Sequence, residues 1–425
     1  MSLQEICVAV KSGGYDKDFN LLYPSVENAQ SRYLKAVDEF EKLYGDQESV
    51  EFFSAPGRTE VGGNHTDHQH GRVLAGSVDL DVIAVVAKND DNVVRIKSEG
   101  YDMDVIDLNN LDVVKTEEGK AAALIRGMCA YVKQAGFEIG GFNAYTTSNV
   151  LKGSGLSSSA AFEVLVGVIL SNLFNNGGID AVEIAKLAQK AENVYFGKPC
   201  GLMDQMASSV GGFTAIDFAD PKNPVIEKID FDLSAQNHSL CIVNTGGNHA
   251  DLTSDYAAIT EEMRLIANSL GEEFLRDISE EQFYAKIATL RANCGDRAVI
   301  RAMHFLADNA LVVDEKKALL ENRFDDFLTM IKKSGNSSFR YLQNVFSVSA
   351  PKEQGLSLAL ALTERFLGER GGFRVHGGGF AGTIQAFVPN DLLEDYKKMI
   401  ESAFGEGNCY VLNIRPVGGY ALSVK

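Results

Sequence analysis

The sequence predicts an α+β protein, and three observations support this. Short runs rich in Val, Ile and Leu are mixed with longer stretches of helical period. They do not follow the regular strand–helix–strand repeat of a doubly wound parallel sheet. The 425 residues, 45% hydrophobic and 23% charged, suffice for a large core and for two or three domains.

A helix is expected over 27–44, where Ala29, Tyr33, Ala36, Val37 and Phe40 recur near the helical period. Residues 1–26 read as a peripheral N-terminal extension. Residues 50–54 form a short strand leading into a turn at Ala55, Pro56 and Gly57. The run 71–86 reads as one or two strands, and 93–97 and 103–108 as further strands. Helices are expected over about 159–173 and 181–196. Ile184, Leu187, Ala188 and Ala191 share one face of the second. Residues 211–218 read as a strand. The loop-like run DFADPKNP that begins at Asp217 marks the expected boundary between a first domain, 27–217, and a second, 218–425. The second half restarts with a strand near 239–244. Acidic, amphipathic helices follow between about 255 and 370. Strand-like pieces at 383–388 and 409–415 close the chain.

The net charge of -18 argues against sequence-independent binding to nucleic acid or an anionic membrane face. It does not exclude a local anion site built from backbone amides. The six cysteines form no C-x-x-C pair, so reduced thiols are the simplest state. No apolar run reaches the roughly 20 residues of a membrane span. The start, MSLQEICVAVKSGG, lacks the features of a secretory signal, and a cytoplasmic protein is expected.

Three segments carry candidate chemistry. The first is LKGSGLSSSAAFEVLVGVIL, beginning at Leu151. Gly153 and Gly155 permit close backbone approach, and Ser157, Ser158 and Ser159 are candidate helix caps. The first amides of the following helix, with its dipole, suit a phosphate group. The segment reads equally well as a Ser-rich cap, since it lacks the Gly-Lys-Ser/Thr of a P-loop. The second is SAPGRTEVGGNHTDHQHG, from Ser54 to Gly71. It gathers Arg58, Glu60, Asn64, His65, Asp67, His68 and His70. Such convergent donors and acceptors suit a small polar ligand such as a sugar. A metal site in its histidines lacks a second cluster downstream to complete a shell. The third is AENVYFGKPCGLMDQMASSVGG, from Ala191 to Gly212. Glu192 and Asp204 supply two acids, one to hold a metal and one to orient or deprotonate a hydroxyl. Spacing alone cannot distinguish these roles from helix capping.

Together and in this order, the three segments resemble the GHMP kinases, and within them the galactokinase branch. The segment FRVHGGGFAGTIQAFV, starting at Phe373, resembles the C-terminal Gly-rich motif of that family. The run GKPCGLMDQ is the part specific to the branch. The resemblance implies a two-domain fold with the site in the cleft between domains. It implies ATP and Mg²⁺, and phosphorylation of the C1 hydroxyl of galactose. Asp204 matches the catalytic aspartate, and Arg58 the arginine beside it and the anomeric hydroxyl. Ser159 and Glu192 match magnesium ligands. His65, Asp67, Gly201 and Tyr256 match sugar-binding positions. The amides of Gly153, Ser154, Gly155, Leu156, Ser157, Ser158 and Ser159 are expected to cradle the phosphates.

Three positions depart from the family. Glu60 stands where Asn is usual, Asn64 where Glu is usual, and His68 where Tyr is usual. The residue matched by Asn64 is expected at the C6 hydroxyl. An amide there could favour a sugar acid such as galacturonate, unless Glu60 swings in to restore the usual contact. Rival functions are a non-catalytic galactose sensor on the same fold and a GHMP kinase for another substrate. The sensor is disfavoured by Asp204 and the intact 157–161 run, and non-sugar substrates by 197–205. Neither nucleic acid nor membrane is expected as a partner.

Overall fold

The computed structural model describes residues 1–150, 155–247 and 252–424. Among these residues the strands are β1 (Val50–Gly62), β2 (Arg72–Lys88), β3 (Val93–Ser98), β4 (Met103–Asp107), β5 (Phe142–Ser148), β6 (Phe213–Asp217), β7 (Val225–Ile229), β8 (His238–Asn244), β9 (Gly372–His376), β10 (Thr383–Pro389), β11 (Cys409–Leu412) and β12 (Tyr420–Leu422). They form two sheets. The first runs β12-β1-β2-β5-β3-β4, with β6 paired to β2 and β7 to β6. Among the described strands, only β3 and β5 pair in parallel. The second sheet is antiparallel, β11-β8-β10-β9. Mixed strands and helices in this arrangement are the α+β class that the sequence implies.

The spine is the long hairpin of β1 and β2. The turn expected at 55–57 is instead part of β1. Pro56 fits there because β12 covers only Phe52, Phe53 and Ser54, so no ladder partner on that side needs its missing N–H. The register with β2 shifts between Pro56 and Arg58 and again between Glu60 and Gly62. These irregularities end the pairing beside the polar loop that follows, a usual place for bulges.

The helix Ser158–Asn175 packs its apolar length on this sheet. Val164, Leu165, Val168 and Ile169 join Phe53, Val82 and Ala84 in one core. By length and composition it could cross a membrane, but most of it is buried inside the protein. Its only charged residue is Glu163.

Three further features differ from the sequence reading. Residues 1–26 are integral rather than peripheral. Helices Leu3–Lys11 and Asp16–Leu22 bury Leu3, Ile6, Val10, Phe19 and Leu22 with Tyr33 and Phe40 of helix Val26–Tyr44, against Phe52, Ile83 and Val85 of the sheet. Helix Ala121–Gln134 and β5 have no counterpart in the sequence reading. The boundary at 217 cuts a hairpin, because β7 pairs with β6, and β12 returns to the first sheet at the end of the chain.

Asp81, fully buried, ties these parts together. It accepts from Arg32 Nη1 at 2.5 Å, Tyr23 Oη at 2.6 Å and Arg415 Nη1 at 3.1 Å. Burial alone would raise its carboxyl, but Arg32 and Arg415 hold it below the usual range.

Glu315, in the helix Asp296–Leu320, has the opposite environment. Both its oxygens are buried without partners, and Gly62 leaves room for them: a Cβ there would lie 1.9 Å from Oε2. Burial pushes this carboxyl up to about 8. The folded state therefore keeps a proton that the unfolded chain loses above its usual 4.5. The stability this contributes is full at low pH and is lost as pH rises through about 8. Urea midpoints should fall between about pH 5 and pH 8, and Glu315→Gln should flatten that slope. An unchanged slope in the variant would contradict this protonation.

Candidate active site

The site forms where β1, the N-terminus of Ser158–Asn175 and the short helix Met203–Val210 meet. Gly57 permits the approach. A Cβ there would lie 2.8 Å from the Leu156 carbonyl, to which the neighbouring Arg58 N–H donates at 3.0 Å. Arg58, 7% exposed, reaches Asp204 Oδ1 with Nε at 2.7 Å and Nη2 at 2.6 Å. Its Nη1 donates to the Gly155 carbonyl. The two acceptors leave the guanidinium little freedom, so it fixes Asp204 against the loop.

Ser157 stands at the N-cap of the helix with φ 54, a left-handed conformation uncommon for serine. Its hydroxyl makes no cap; it donates to Asp204 Oδ2. The first helix amides are thus left without a side-chain cap, which suits an anion. Gly153 and Ser154 lie outside the described residues. His376 braces the loop from the second sheet. Its Nε2 is 3.1 Å from Thr59 Oγ1, and a Cβ on Gly155 would lie 3.1 Å from its Nδ1.

Ser159 donates to Glu192 Oε1 at 3.1 Å. Glu192 begins a π-helical turn, Glu192–Phe196, that extends Ala181–Ala191. Such turns often mark functional positions, and the helical pattern of the sequence runs through this one without a break. Lys198 Nζ lies 3.2 Å from the same Oε1. Gln205 Nε2 donates to Glu192 Oε2 at 2.7 Å and to Glu163 Oε2 at 3.1 Å. Burial, then the charge of Glu192, pushes the Glu163 carboxyl well up. A hydroxyl and a carboxylate on one face are hard oxygen donors. They fit Mg²⁺, which usually takes few protein ligands and completes its shell with water and phosphate.

The polar loop sits beside this centre. Asp67 faces Gly201, where a Cβ would lie 2.7 Å from its Oδ2. Burial raises the Asp67 carboxyl, and the nearby charge of Asp204 adds to this. His65 has φ 56 and donates Nε2–H to the Gly378 carbonyl at 2.9 Å. Burial lowers it to about 4, so it is a neutral imidazole. Tyr256 donates its hydroxyl to the Gly379 carbonyl at 3.0 Å. His70 is turned aside and stacks on Phe274 at 3.6 Å.

Asn64 and Glu60 differ from their expected roles at the sugar. Asn64 is fully buried with every amide position filled. Its Nδ2 donates to Glu60 Oε1 and the Gly377 carbonyl, both at 2.8 Å. Its Oδ1 accepts from Asn344 at 2.8 Å and Ser338 at 3.1 Å. Glu60 Oε1 also takes Arg374 Nη2 at 2.6 Å. Burial pushes the Glu60 carboxyl up to about 7 against the pull of Arg374. The exchanged pair thus holds the loop by its own contact and does not reach outward. Asn344 and Ser338 carry no local sequence signal, and Arg374 lies in the Gly-rich segment from Phe373 with nothing there to link it to Glu60, because Glu60 and Asn64 belong to the other end of the chain. Glu163 does carry one, as the single charge in an apolar helix.

A cavity of about 760 Å³ opens beside Ser158 and Ser159, with Tyr101, Leu124, Val150, Phe162 and Phe196 among its lining. Its size suits a nucleoside.

An arginine-fixed carboxylate beside uncapped helix amides and an oxygen cradle belongs to the enzymes that move phosphoryl groups. The family model described as GHMP kinases N terminal domain matches residues 123–212, and that of the galactokinase galactose-binding signature matches 38–88. A galactokinase of Glaesserella parasuis is 31% identical over 366 residues, 85% of this chain and 91% of its own. One from Streptomyces coelicolor is 31% identical over 370 residues, 86% of this chain and 92% of its own. The crystal structure of Lactococcus lactis galactokinase complexed with galactose superposes with a TM-score of 0.77 at 25% identity. The match covers 91% of this chain and 99% of that one. This chain belongs to the galactokinase family, a branch of the GHMP kinases.

Removing the charge of Asp204 tests whether this carboxylate serves the reacting hydroxyl. Asp204→Asn should lower kinase turnover by about 10²–10⁴-fold while sugar affinity, measured by calorimetry, changes little. Near-normal kcat in the variant would remove Asp204 from that role.

Proposed function

We propose that the protein transfers the γ-phosphoryl group of ATP to the C1 hydroxyl of galactose, giving galactose 1-phosphate and ADP. The observation that carries this is Asp204, held by Arg58 on one oxygen and touching Ser157 of the phosphate loop through the other. A carboxylate so placed lies between the loop and the sugar-binding segment. The galactose-binding signature and the galactose-bound Lactococcus structure support the choice of sugar.

Asp204 orients the C1 hydroxyl and takes its proton at Oδ2, the oxygen that Ser157 now occupies. Arg58 holds that carboxylate in place through Nε and Nη2. The amides beginning at Ser158 receive the phosphates, and the neighbouring cavity receives the base. Ser159 and Glu192 would hold Mg²⁺, which when bound offsets phosphate charge. Asp67, Gly201, His65 and Tyr256 surround the sugar. For each of them the support is its place around Asp204 or the 377–379 loop. The two sheets form the cores of two lobes, with the boundary after β7. A cytosolic protein fits this reading.

Galacturonate loses its proposed donor, because both amide hydrogens of Asn64 are spent within the protein. Steady-state ADP release over a panel of hexoses and uronic acids should give the highest kcat/KM with galactose. Galacturonate should fall at least about 100-fold below, the cost of a carboxylate facing no donor. Equal turnover of the two would refute the assignment.

A further inference from the structure

We infer that Lys198 is a phosphate-binding residue that rests on Glu192 in the nucleotide-free enzyme and passes to the ATP phosphates when a divalent cation takes that carboxylate; this rests on the kinase reading above. Its Nζ and Ser159 Oγ meet the same oxygen, Glu192 Oε1, at 3.2 and 3.1 Å. The ammonium therefore stands where a bound cation would share Glu192 with Ser159.

The resting position has a physical cause. The Glu192 side chain is only 2% exposed, and Gln205 on its other oxygen is a neutral donor. A carboxylate buried this far needs a positive partner, and Lys198 supplies one. The lysine is nevertheless held only at its tip, since 61% of its side chain is exposed. Gly197, at φ 81, precedes it.

The second position follows from charge. A divalent cation on Glu192 would repel the ammonium and remove its counter-charge. The negative groups that arrive at the same time are the phosphates at the amides beginning at Ser158. Arg58 is not free to meet them, being spent on Asp204 and the Gly155 carbonyl. Lys198 lies beside the loop on a flexible four-carbon stem, and lysine serves phosphate as a mobile point charge.

The test uses the full-length enzyme and the variants Lys198→Met and Lys198→Arg. Calorimetry with AMP-PNP in Mg²⁺ should show affinity about tenfold weaker in Lys198→Met and partly restored in Lys198→Arg. Melting of the nucleotide-free protein reports the resting role. In EDTA, Lys198→Met should melt below wild type, and Mg²⁺ should raise its midpoint more than that of wild type. Retained galactose affinity shows that the variant is folded. AMP-PNP affinity equal to wild type overturns the phosphate contact, and an equal response to Mg²⁺ overturns the resting position. Absence of ADP release by the wild type with every sugar would instead remove the kinase reading.

Discussion

The site depends on one serine hydroxyl being used away from its own helix. Ser157 has the position and chemistry of an N-cap, yet it turns to Asp204. That choice leaves the helix amides free for phosphate and places the Asp204 carboxylate against them. It needs a left-handed residue at 157, a carboxylate on a second helix, and an arginine from β1 to hold that carboxylate. Gly57 and Gly155 supply the clearance that lets β1 and His376 press on the same loop. The fold is the means of bringing those three elements together.

The electrostatics around that contact are arranged in two ways. Near the phosphate loop, acids come with partners: Asp204 with Arg58, and Glu192 with Lys198, Ser159 and Gln205. Behind the sugar loop, Glu60 and Glu315 are buried deeply enough to be pushed towards neutrality. The first group is held in fixed geometry beside the phosphate loop. The second packs the loop against helix Asp296–Leu320 and the second sheet, where burial favours the protonated form of each carboxyl. The 377–379 backbone joins the halves, its three carbonyls accepting in turn from Asn64, His65 and Tyr256.

Much of this is legible in the sequence where the signal is local. The face Ala29–Tyr33–Ala36–Val37–Phe40 is buried as its period implies. The Gly/Ser loop does begin a helix. Arg58 and Asp204 are far apart in sequence and are linked there only through resemblance, yet they meet in space. Contacts set by distant partners are not legible. Nothing near Asn64 in sequence announces Asn344 or Ser338, so an exchanged pair looks like an altered specificity pocket. Pro56 reads as a turn because its tolerance depends on where β12 stops. The segment before helix Val26–Tyr44 looks dispensable because its short helices gain their order from the sheet they cover.

β12 carries a consequence for how the chain reaches its native state. The strand that flanks β1 is made of Tyr420, Ala421 and Leu422, and the arginine that shares buried Asp81 is Arg415. During synthesis, β1 must wait until residues 420–422 have left the ribosome before it gains this neighbour. Until then one flank of the central hairpin is an open edge, and Asp81 lacks one of its cations. Such distant closure slows the search for the native topology. The first sheet can begin early, but it becomes complete only when residues 415–422 are released.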